Sequence, residues 1–175
     1  REWTMKKVRV GVIGLGMGRY HVGGYREHPN AEVVAVADVN KHCLEEVGGN
    51  QLQVEKRYTD PEEMLAKEKF DVVSVATPNC FHKPYTLAAL KAGCHVLCEK
   101  PMALNVAEAR EMVAAAKKAR KRLMINFSYR FTAESQALKK KVDTGILGDV
   151  YYARTIWHRR RGIPGFGGHN CQKKM

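Results

Sequence analysis

The first strand-like segment of the chain runs directly into a turn rich in glycine. Val8–Ile13 is a compact run with many β-branched residues, and Gly14-Leu15-Gly16-Met17-Gly18 follows it before a helical stretch. Glycine lets the backbone approach a phosphate group closely, and the free N–H groups at the start of the next helix then bind the phosphate oxygens. This layout predicts a dinucleotide-binding unit. The residues predicted to contact the cofactor are Gly14, Gly16, Met17 and Gly18.

The glycine spacing departs from the usual pattern at its third position. The third glycine would fall at position 19, which is Arg19, and Gly18 lies one residue earlier. A second strand ends at Asp38, at about the twenty-residue spacing that such units show. A carboxylate there accepts hydrogen bonds from the adenosine ribose hydroxyls and repels a 2′-phosphate. We therefore predict that Asp38 binds NAD, with NADP as the alternative cofactor and capping of the next helix as the alternative role for Asp38.

Strand-like and helical segments alternate from Val8 to Asn126. The predicted strands are Val8–Ile13, Glu32–Ala37, Asp71–Ala76, His95–Cys98 and Leu123–Phe127. The predicted helices are Arg19–Glu27, Lys41–Val47, Pro61–Lys67, Lys83–Lys91 and Val106–Arg120. Asp60 is expected to cap the third helix and Gly93 to end the fourth. This alternation predicts an α/β fold with a Rossmann-type doubly wound parallel sheet in residues 5–127.

The sequence changes character from residue 128. Ala133–Asp143 predicts a helix, and Val150–Trp157 predicts a strand that opens a second, antiparallel sheet. Gly162–Met175 is rich in glycine and polar residues and predicts a loop. A single strand cannot bury its own apolar face. We therefore interpret residues 128–175 as only the beginning of a second α+β domain for substrate binding and oligomerisation, and the chain as truncated.

A lysine stands at the end of the apolar segment 94–98. Glu99-Lys100-Pro101 follows that segment directly and places an ammonium group at the mouth of a buried strand. Next to a dinucleotide site, this position predicts redox chemistry with Lys100 as the catalytic residue.

Composition limits the other functions. The formal net charge is +12, but the excess lies near the ends of predicted helices and at Arg159-Arg160-Arg161, without a nucleic-acid-binding motif, so we predict no nucleic-acid partner. No apolar run has the roughly 20 residues of a membrane span, so we predict no membrane partner. The five cysteines are odd in number and scattered, which favours a cytoplasmic location. Cys94, His95 and Cys98 lack a fourth ligand, and we predict no metal site.

Taken together, the motifs resemble those of the Gfo/Idh/MocA oxidoreductases, such as glucose-fructose oxidoreductase and inositol 2-dehydrogenase. The resemblance extends from about Val8 to about Phe166. The matching elements are Gly11-Val12-Ile13-Gly14-Leu15-Gly16 with His21, Val36-Ala37-Asp38, Ala76-Thr77-Pro78-Asn79 with His82, Cys98-Glu99-Lys100-Pro101, and Tyr129-Arg130-Phe131.

The resemblance implies roles for several further residues. Those implied on the cofactor side are Thr77, Pro78, Asn79 and His82, and those implied at the reacting centre are Glu99, Lys100 and Pro101, with Pro101 in the cis form. His82 and His21 are individually more typical of capping or packing. Asn126 and Arg130 are implied substrate contacts. For Arg130, a contact with the cofactor or an interdomain salt bridge is also open. The family's second domain carries an Asp-x-Gly-x-His element with the catalytic aspartate and histidine, which nothing in this sequence matches.

The implied activity is hydride transfer between a secondary alcohol of a sugar or cyclitol and NAD(P), with this chain as an inactive, truncated form. The alternatives are a cofactor-binding module without turnover, and a basic nucleic-acid-associated protein. Family members of full length are expected to be homo-oligomers; the state of this chain stays open.

Overall fold

The structure is a computed structural model that describes residues 6–158 and residue 160. Its strands are β1 (Val8–Ile13), β2 (Ala31–Ala37), β3 (Lys56–Tyr58), β4 (Val72–Val75), β5 (His95–Cys98) and β6 (Leu123–Ile125). Its α-helices are α1 (Leu15–Glu27), α2 (Lys41–Cys43), α3 (Pro61–Lys67), α4 (His82–Lys91), α5 (Val106–Ala119) and α6 (Ala133–Asp143). A π-helix, Leu44–Gln51, continues α2, and Asn79–Phe81 and Ser128–Phe131 are 3₁₀-helices. No helix among the described residues is long and apolar enough to cross a bilayer.

The six strands form one parallel sheet in the order β3-β2-β1-β4-β5-β6. The chain winds outward from β1 to one edge and then returns to β4 to wind toward the other edge. Ligands of such sheets bind beyond the carboxyl ends of the strands at this switch point, which here lies between β1 and β4. The predicted doubly wound parallel fold is confirmed.

Two apolar clusters fill the two faces of the sheet. Val10 and Val12 of β1 pack with Leu15 and Val22 of α1 in one cluster, whereas Ile13 belongs to the other cluster with residues of α3, α4 and α5. Successive side chains of a strand point to opposite faces, so β1 contributes to both clusters. These β1 side chains are fully buried, and each such burial contributes roughly 1.5–3 kcal/mol.

Up to Asn126, the predicted elements agree with the observed ones to within a few residues, with three differences. Helix α1 begins at Leu15 rather than at Arg19, because the glycine-rich turn already forms its first helical turn. The second helix changes to a π-helix after Cys43. Strand β3 is absent from the prediction, since its three residues are too few for a periodic pattern. Asp60 caps α3 by accepting a hydrogen bond from the Glu62 N–H at 2.9 Å, and Gly93 ends α4 with φ +82°.

The described residues up to Asn126 form one compact unit, and those from Phe127 form a second. In the second unit, Thr132 caps α6 through the Ser135 N–H, and the rings of Tyr129 and Trp157 pack edge to face at 4.8 Å. The predicted strand over residues 150–157 is wrong: this segment is irregular and exposed. A strand needs a partner for its backbone hydrogen bonds, and the described part of the second unit holds no other strand. The predicted loop over residues 162–175 lies outside the described residues.

Candidate active site at the carboxyl ends of the strands

The carboxyl ends of the central strands lie at one level. Ile13 of β1 is opposite Ala37 of β2 and Val75 of β4. Val75 is in turn opposite Cys98 of β5, which is opposite Ile125 of β6. The residues that follow these positions therefore leave the sheet at the same edge. They are Gly14, Asp38, Ala76, Glu99 and Asn126.

Each of the three turn glycines meets a different steric requirement. Gly14 has φ +88°, and a Cβ atom there would lie 2.6 Å from the carbonyl oxygen of Ala76, so only glycine fits. A Cβ atom on Gly18 would lie 2.8 Å from Cγ1 of Val12, so Gly18 allows α1 to pack closely on β1. Gly18 thus takes the helix-packing role expected of a third glycine at position 19. A Cβ atom on Gly16 would meet nothing within 4 Å, so this position borders open space.

The amino end of α1 is available for an anion. Its N-cap residue, Gly14, provides no side-chain hydrogen bond, and no acidic residue lies in its first turn. Helix starts leave N–H groups without internal partners and carry a partial positive charge. Gly16 and Met17 are exposed in this turn. Asp38 takes the N–H of Leu15, and the open space at Gly16 together with the helix N–H groups that follow fits a pyrophosphate group.

Asp38 is bonded to the backbone on both of its carboxylate oxygens. Oδ2 accepts the Leu15 N–H at 2.8 Å, and Oδ1 accepts the Asn40 N–H at 2.9 Å. The cap of α2 is Asn40, whose side chain accepts the Cys43 N–H, so Asp38 is not itself the capping residue. A carboxylate has about four lone-pair sites, which leaves acceptor capacity for ribose hydroxyls.

A narrow cleft adjoins Asp38 at the same edge. Its walls include Gly14, Val39, Pro78, Phe81 and Tyr85, with the rings of Phe81 and Tyr85 stacked at a centroid distance of 5.7 Å. Thr77 also lines the cleft, and its Oγ1 atom is buried without a hydrogen-bond partner among the described residues. An apolar, partly aromatic cleft with an unsatisfied hydroxyl is suited to a nucleoside. The i, i+4 spacing of Phe81 and Tyr85 is the sequence signal for this aromatic wall.

On the other side of the switch point, the buried Glu99 carboxylate connects three parts of the first unit. Its Oε1 accepts hydrogen bonds from Nε2 of His21 at 3.0 Å and from Nδ2 of Asn126 at 2.6 Å. Its Oε2 accepts the backbone N–H of Lys100 at 3.2 Å. Glu99 is only 7% exposed, so these bonds are shielded from water. The carboxylate therefore joins α1, the end of β6 and the backbone of Lys100.

The same contacts set the protonation of Glu99. Burial alone would raise the pKa of its carboxyl group. The hydrogen bonds from His21, Asn126 and the Lys100 N–H outweigh burial and lower the pKa to about 2. Glu99 is therefore a fixed anion beneath the lysine.

Lys100 and Pro101 are exposed beyond the end of β5, and the peptide bond between them is cis, as predicted. His82 is buried behind them and is 1% exposed. Its ring contacts the carbonyl oxygens of Pro101 and Thr77 rather than open space. Asn79 lies in the short 3₁₀-helix between Thr77 and His82.

The two predicted substrate residues differ in their surroundings. Asn126 is engaged with Glu99 at the edge just described, whereas Arg130 is exposed in the 3₁₀-helix of the second unit. Their roles toward a substrate stay predictions. The pairing of His21 with Glu99 was missed, because no local spacing connects residues so distant in sequence. No group of three metal-binding side chains is present within residues 6–158 and 160.

Comparison with known proteins identifies relatives of this fold and site. The sequence model of an oxidoreductase family with an NAD-binding Rossmann fold, Gfo/Idh/MocA, matches residues 8–127. The D-glucoside 3-dehydrogenase of Escherichia coli is 41% identical over 169 residues, which are 94% of this chain and 47% of that protein. The myo-inositol 2-dehydrogenase of Thermotoga maritima is 36% identical over 148 residues, 84% of this chain and 44% of that protein.

Solved structures give the same result. The scyllo-inositol dehydrogenase of Lactobacillus casei, crystallised with NAD(H) and scyllo-inositol, superposes with a TM-score of 0.77 at 27% identity, covering 82% of this chain and 43% of that one. The chain thus spans less than half the length of these relatives. The resemblance stated from the motifs is confirmed, and the chain belongs to the Gfo/Idh/MocA family of oxidoreductases with an NAD-binding Rossmann fold.

Proposed function

We propose that the protein transfers a hydride between a secondary alcohol carbon of a sugar or cyclitol and NAD, and that residues 6–126 hold the cofactor. The observation that carries this proposal is the common level of the strand ends, which brings Gly16, Asp38 and Lys100 to one edge of the sheet. The names of the relatives, dehydrogenases of a glucoside and of inositols, support the substrate class.

The residues at this edge fit NAD. The first turn of α1 at Gly16 and Met17 would bind the pyrophosphate, and Asp38 would accept hydrogen bonds from the adenosine ribose. The cleft lined by Val39, Pro78 and Phe81 would hold the adenine side. When bound, NAD supplies the hydride acceptor.

Lys100 is the residue we assign to the reacting centre. Its backbone is tied to Glu99, and its side chain is exposed at the strand end. An ammonium group held there would donate a hydrogen bond to the substrate oxygen and stabilise the negative charge that develops as the hydroxyl proton leaves. We assign the remaining contacts with the substrate, any further proton acceptor and the oligomeric state to the whole protein.

Two measurements test the proposal. Titration of the chain with NADH, followed by nicotinamide fluorescence, is expected to show saturable binding; its absence would contradict the cofactor assignment. For the reaction, residues 6–126 can be joined to the region that follows the matching segment in the E. coli D-glucoside 3-dehydrogenase. This chimera is expected to form NADH from glycosides or cyclitols. Binding of NADH without any turnover by the chimera would instead favour a cofactor-binding module.

A further inference from the structure

The buried His82 ring makes two contacts with backbone carbonyls on either side of the candidate site. Nδ1 lies 2.7 Å from the carbonyl oxygen of Pro101, and Nε2 lies 2.9 Å from the carbonyl oxygen of Thr77. Both distances are those of good hydrogen bonds. A carbonyl oxygen only accepts, so the ring makes both bonds at once when both nitrogens carry hydrogen, as they do in the imidazolium form.

The two carbonyls belong to segments with different tasks in the site. Thr77 follows β4 and lines the cleft beside Gly14 and Asp38, where the adenosine side of NAD would lie. Pro101 follows Lys100 directly, at the expected nicotinamide side. His82 opens α4, which packs on β5 and α5, so the ring is carried by an element buried in the first unit.

We propose that His82 is a positioning residue that fixes the distance between these two segments, so that a bound dinucleotide meets Asp38 and Lys100 at the correct separation. We call this pair of contacts the His82 bridge. The inference rests on the proposed function and deepens it, because it assigns to His82 an action through Thr77 and Pro101 rather than contact with the cofactor. When the two sides of a site are already held in place, no binding free energy is lost in ordering them.

The bridge predicts a selective loss of affinity. NADH extends over both sides of the site, whereas ADP-ribose lacks the nicotinamide and needs only the Thr77 side. In the full chain, His82→Ala is expected to weaken NADH binding about tenfold and ADP-ribose binding by less than about twofold. Equal losses for both ligands, or an unchanged NADH affinity, would overturn the inference.

His95→Ala is a matched control. The His95 ring also bonds the backbone, since its Nδ1 accepts the Arg122 N–H at 2.9 Å, but it stands at the opposite end of β5 from Glu99. This variant is expected to lower stability while leaving the ratio of the two affinities unchanged. If His82→Ala does not fold, His82→Gln is measured in its place, and because one amide cannot donate in both directions, the same selective loss is expected.

Crystal structures of the wild-type chain and of His82→Ala test the bridge independently of NADH. The carbonyl oxygens of Thr77 and Pro101 are expected to lie at a different separation in the variant. An unchanged separation would overturn the bridge. Failure of the wild-type chain to bind NADH would contradict the proposed function, whereas the two structures would still decide the bridge.

Discussion

The Glu99 carboxylate accepts a hydrogen bond from the His21 ring at 3.0 Å, although 78 residues separate the two in the chain. This contact ties the helix that would bind the cofactor phosphates to the turn that carries Lys100. Helix α1 and the turn that places the lysine therefore share one buried hydrogen-bond network, completed by Asn126.

Replacing Glu99 is expected to change how stability depends on pH. The pKa of Glu99 is about 2 in the folded chain, below the roughly 4.3 of an unfolded glutamate, so its stabilising effect is complete above that value and is lost as the pH falls through about 2. Glu99→Gln should cost about 2 kcal/mol at pH 7, with the difference from wild type shrinking at acid pH. Urea unfolding at pH 7 and at pH 3 measures both effects. Glu32→Gln, at an exposed position of β2, should behave as wild type; a pH-independent deficit for Glu99→Gln would contradict this account.

Gly16→Ala should separate folding from cofactor binding. A methyl group at Gly16 meets nothing within 4 Å, so the change should raise stability by about 0.5–1 kcal/mol, as glycine to alanine does inside a helix. The same methyl group would occupy the space of the pyrophosphate and lower NADH affinity at least about tenfold. Gly23→Ala, also in open space but farther along α1, should stabilise equally and leave NADH affinity unchanged. Equal NADH affinity in both variants would remove Gly16 from the phosphate site.

Gly14→Ala should lower the stability of the fold, whereas Gly16→Ala should raise it. With φ +88° and the Ala76 carbonyl oxygen 2.6 Å from the new Cβ, the backbone at the turn must shift. The expected cost is about 2–4 kcal/mol of folding free energy, from the positive φ and the overlap together. Thermal and urea unfolding measure it, and a loss below 1 kcal/mol would show that the turn relaxes easily.

Asp38 should make the chain prefer NADH to NADPH by at least about tenfold, since a carboxylate repels a 2′-phosphate. Asp38→Asn keeps an acceptor for the Leu15 N–H but removes the charge, so NADPH should gain affinity relative to NADH. Fluorescence titration with both cofactors measures the ratio. Asp71→Asn is the control, because Asp71 also accepts a backbone N–H, that of Arg9, at the amino end of the sheet. Tighter binding of NADPH by the wild-type chain would refute the role of Asp38.

Lys100→Met should lower turnover of the chimera about 100-fold or more, in the range expected for a proton-transfer or oxyanion-stabilising group. NADH affinity should change little, because Lys100 is placed on the substrate oxygen and not on the cofactor phosphates. Steady-state rates combined with NADH titration separate the two quantities. Lys91→Met, at an exposed position on the last turn of α4, should leave both unchanged. A rate within a few-fold of the parent chimera would reduce Lys100 to a surface charge.

The alternation of strands and helices was predictable because each strand or helix is reflected in the local pattern of apolar residues in the sequence. The glycine turn was predictable because its glycines follow a strand at a recognisable local spacing. The structure adds the steric cause, since a Cβ atom at Gly14 would meet Ala76 and one at Gly18 would meet Val12. The length of α1 was not predictable, because glycines at its N-cap and in its first turn conceal a helix whose start is fixed by Asp38, a residue 23 positions away from Leu15.

Features that depend on partners far apart in the chain could not be predicted from the sequence. Strand β3 is short and carries Lys56 and Arg57, and only its pairing with β2 makes it a strand. The alternating residues from Val150 to Trp157 predict a strand, yet without a neighbouring strand in the described part of the second unit they remain irregular. The contacts of His82 were likewise not predictable, because its two carbonyl partners lie on separate segments.

The common level at which Ile13, Ala37, Val75, Cys98 and Ile125 end the strands also bears on how this fold can change its chemistry. The residues assigned to recognition stand at or after this level, whereas most of the side chains that hold the sheet together stand before it. Substitutions that change the preference for a cofactor or substrate can therefore be confined to the loops. The sheet then stays unchanged while new specificities are engineered.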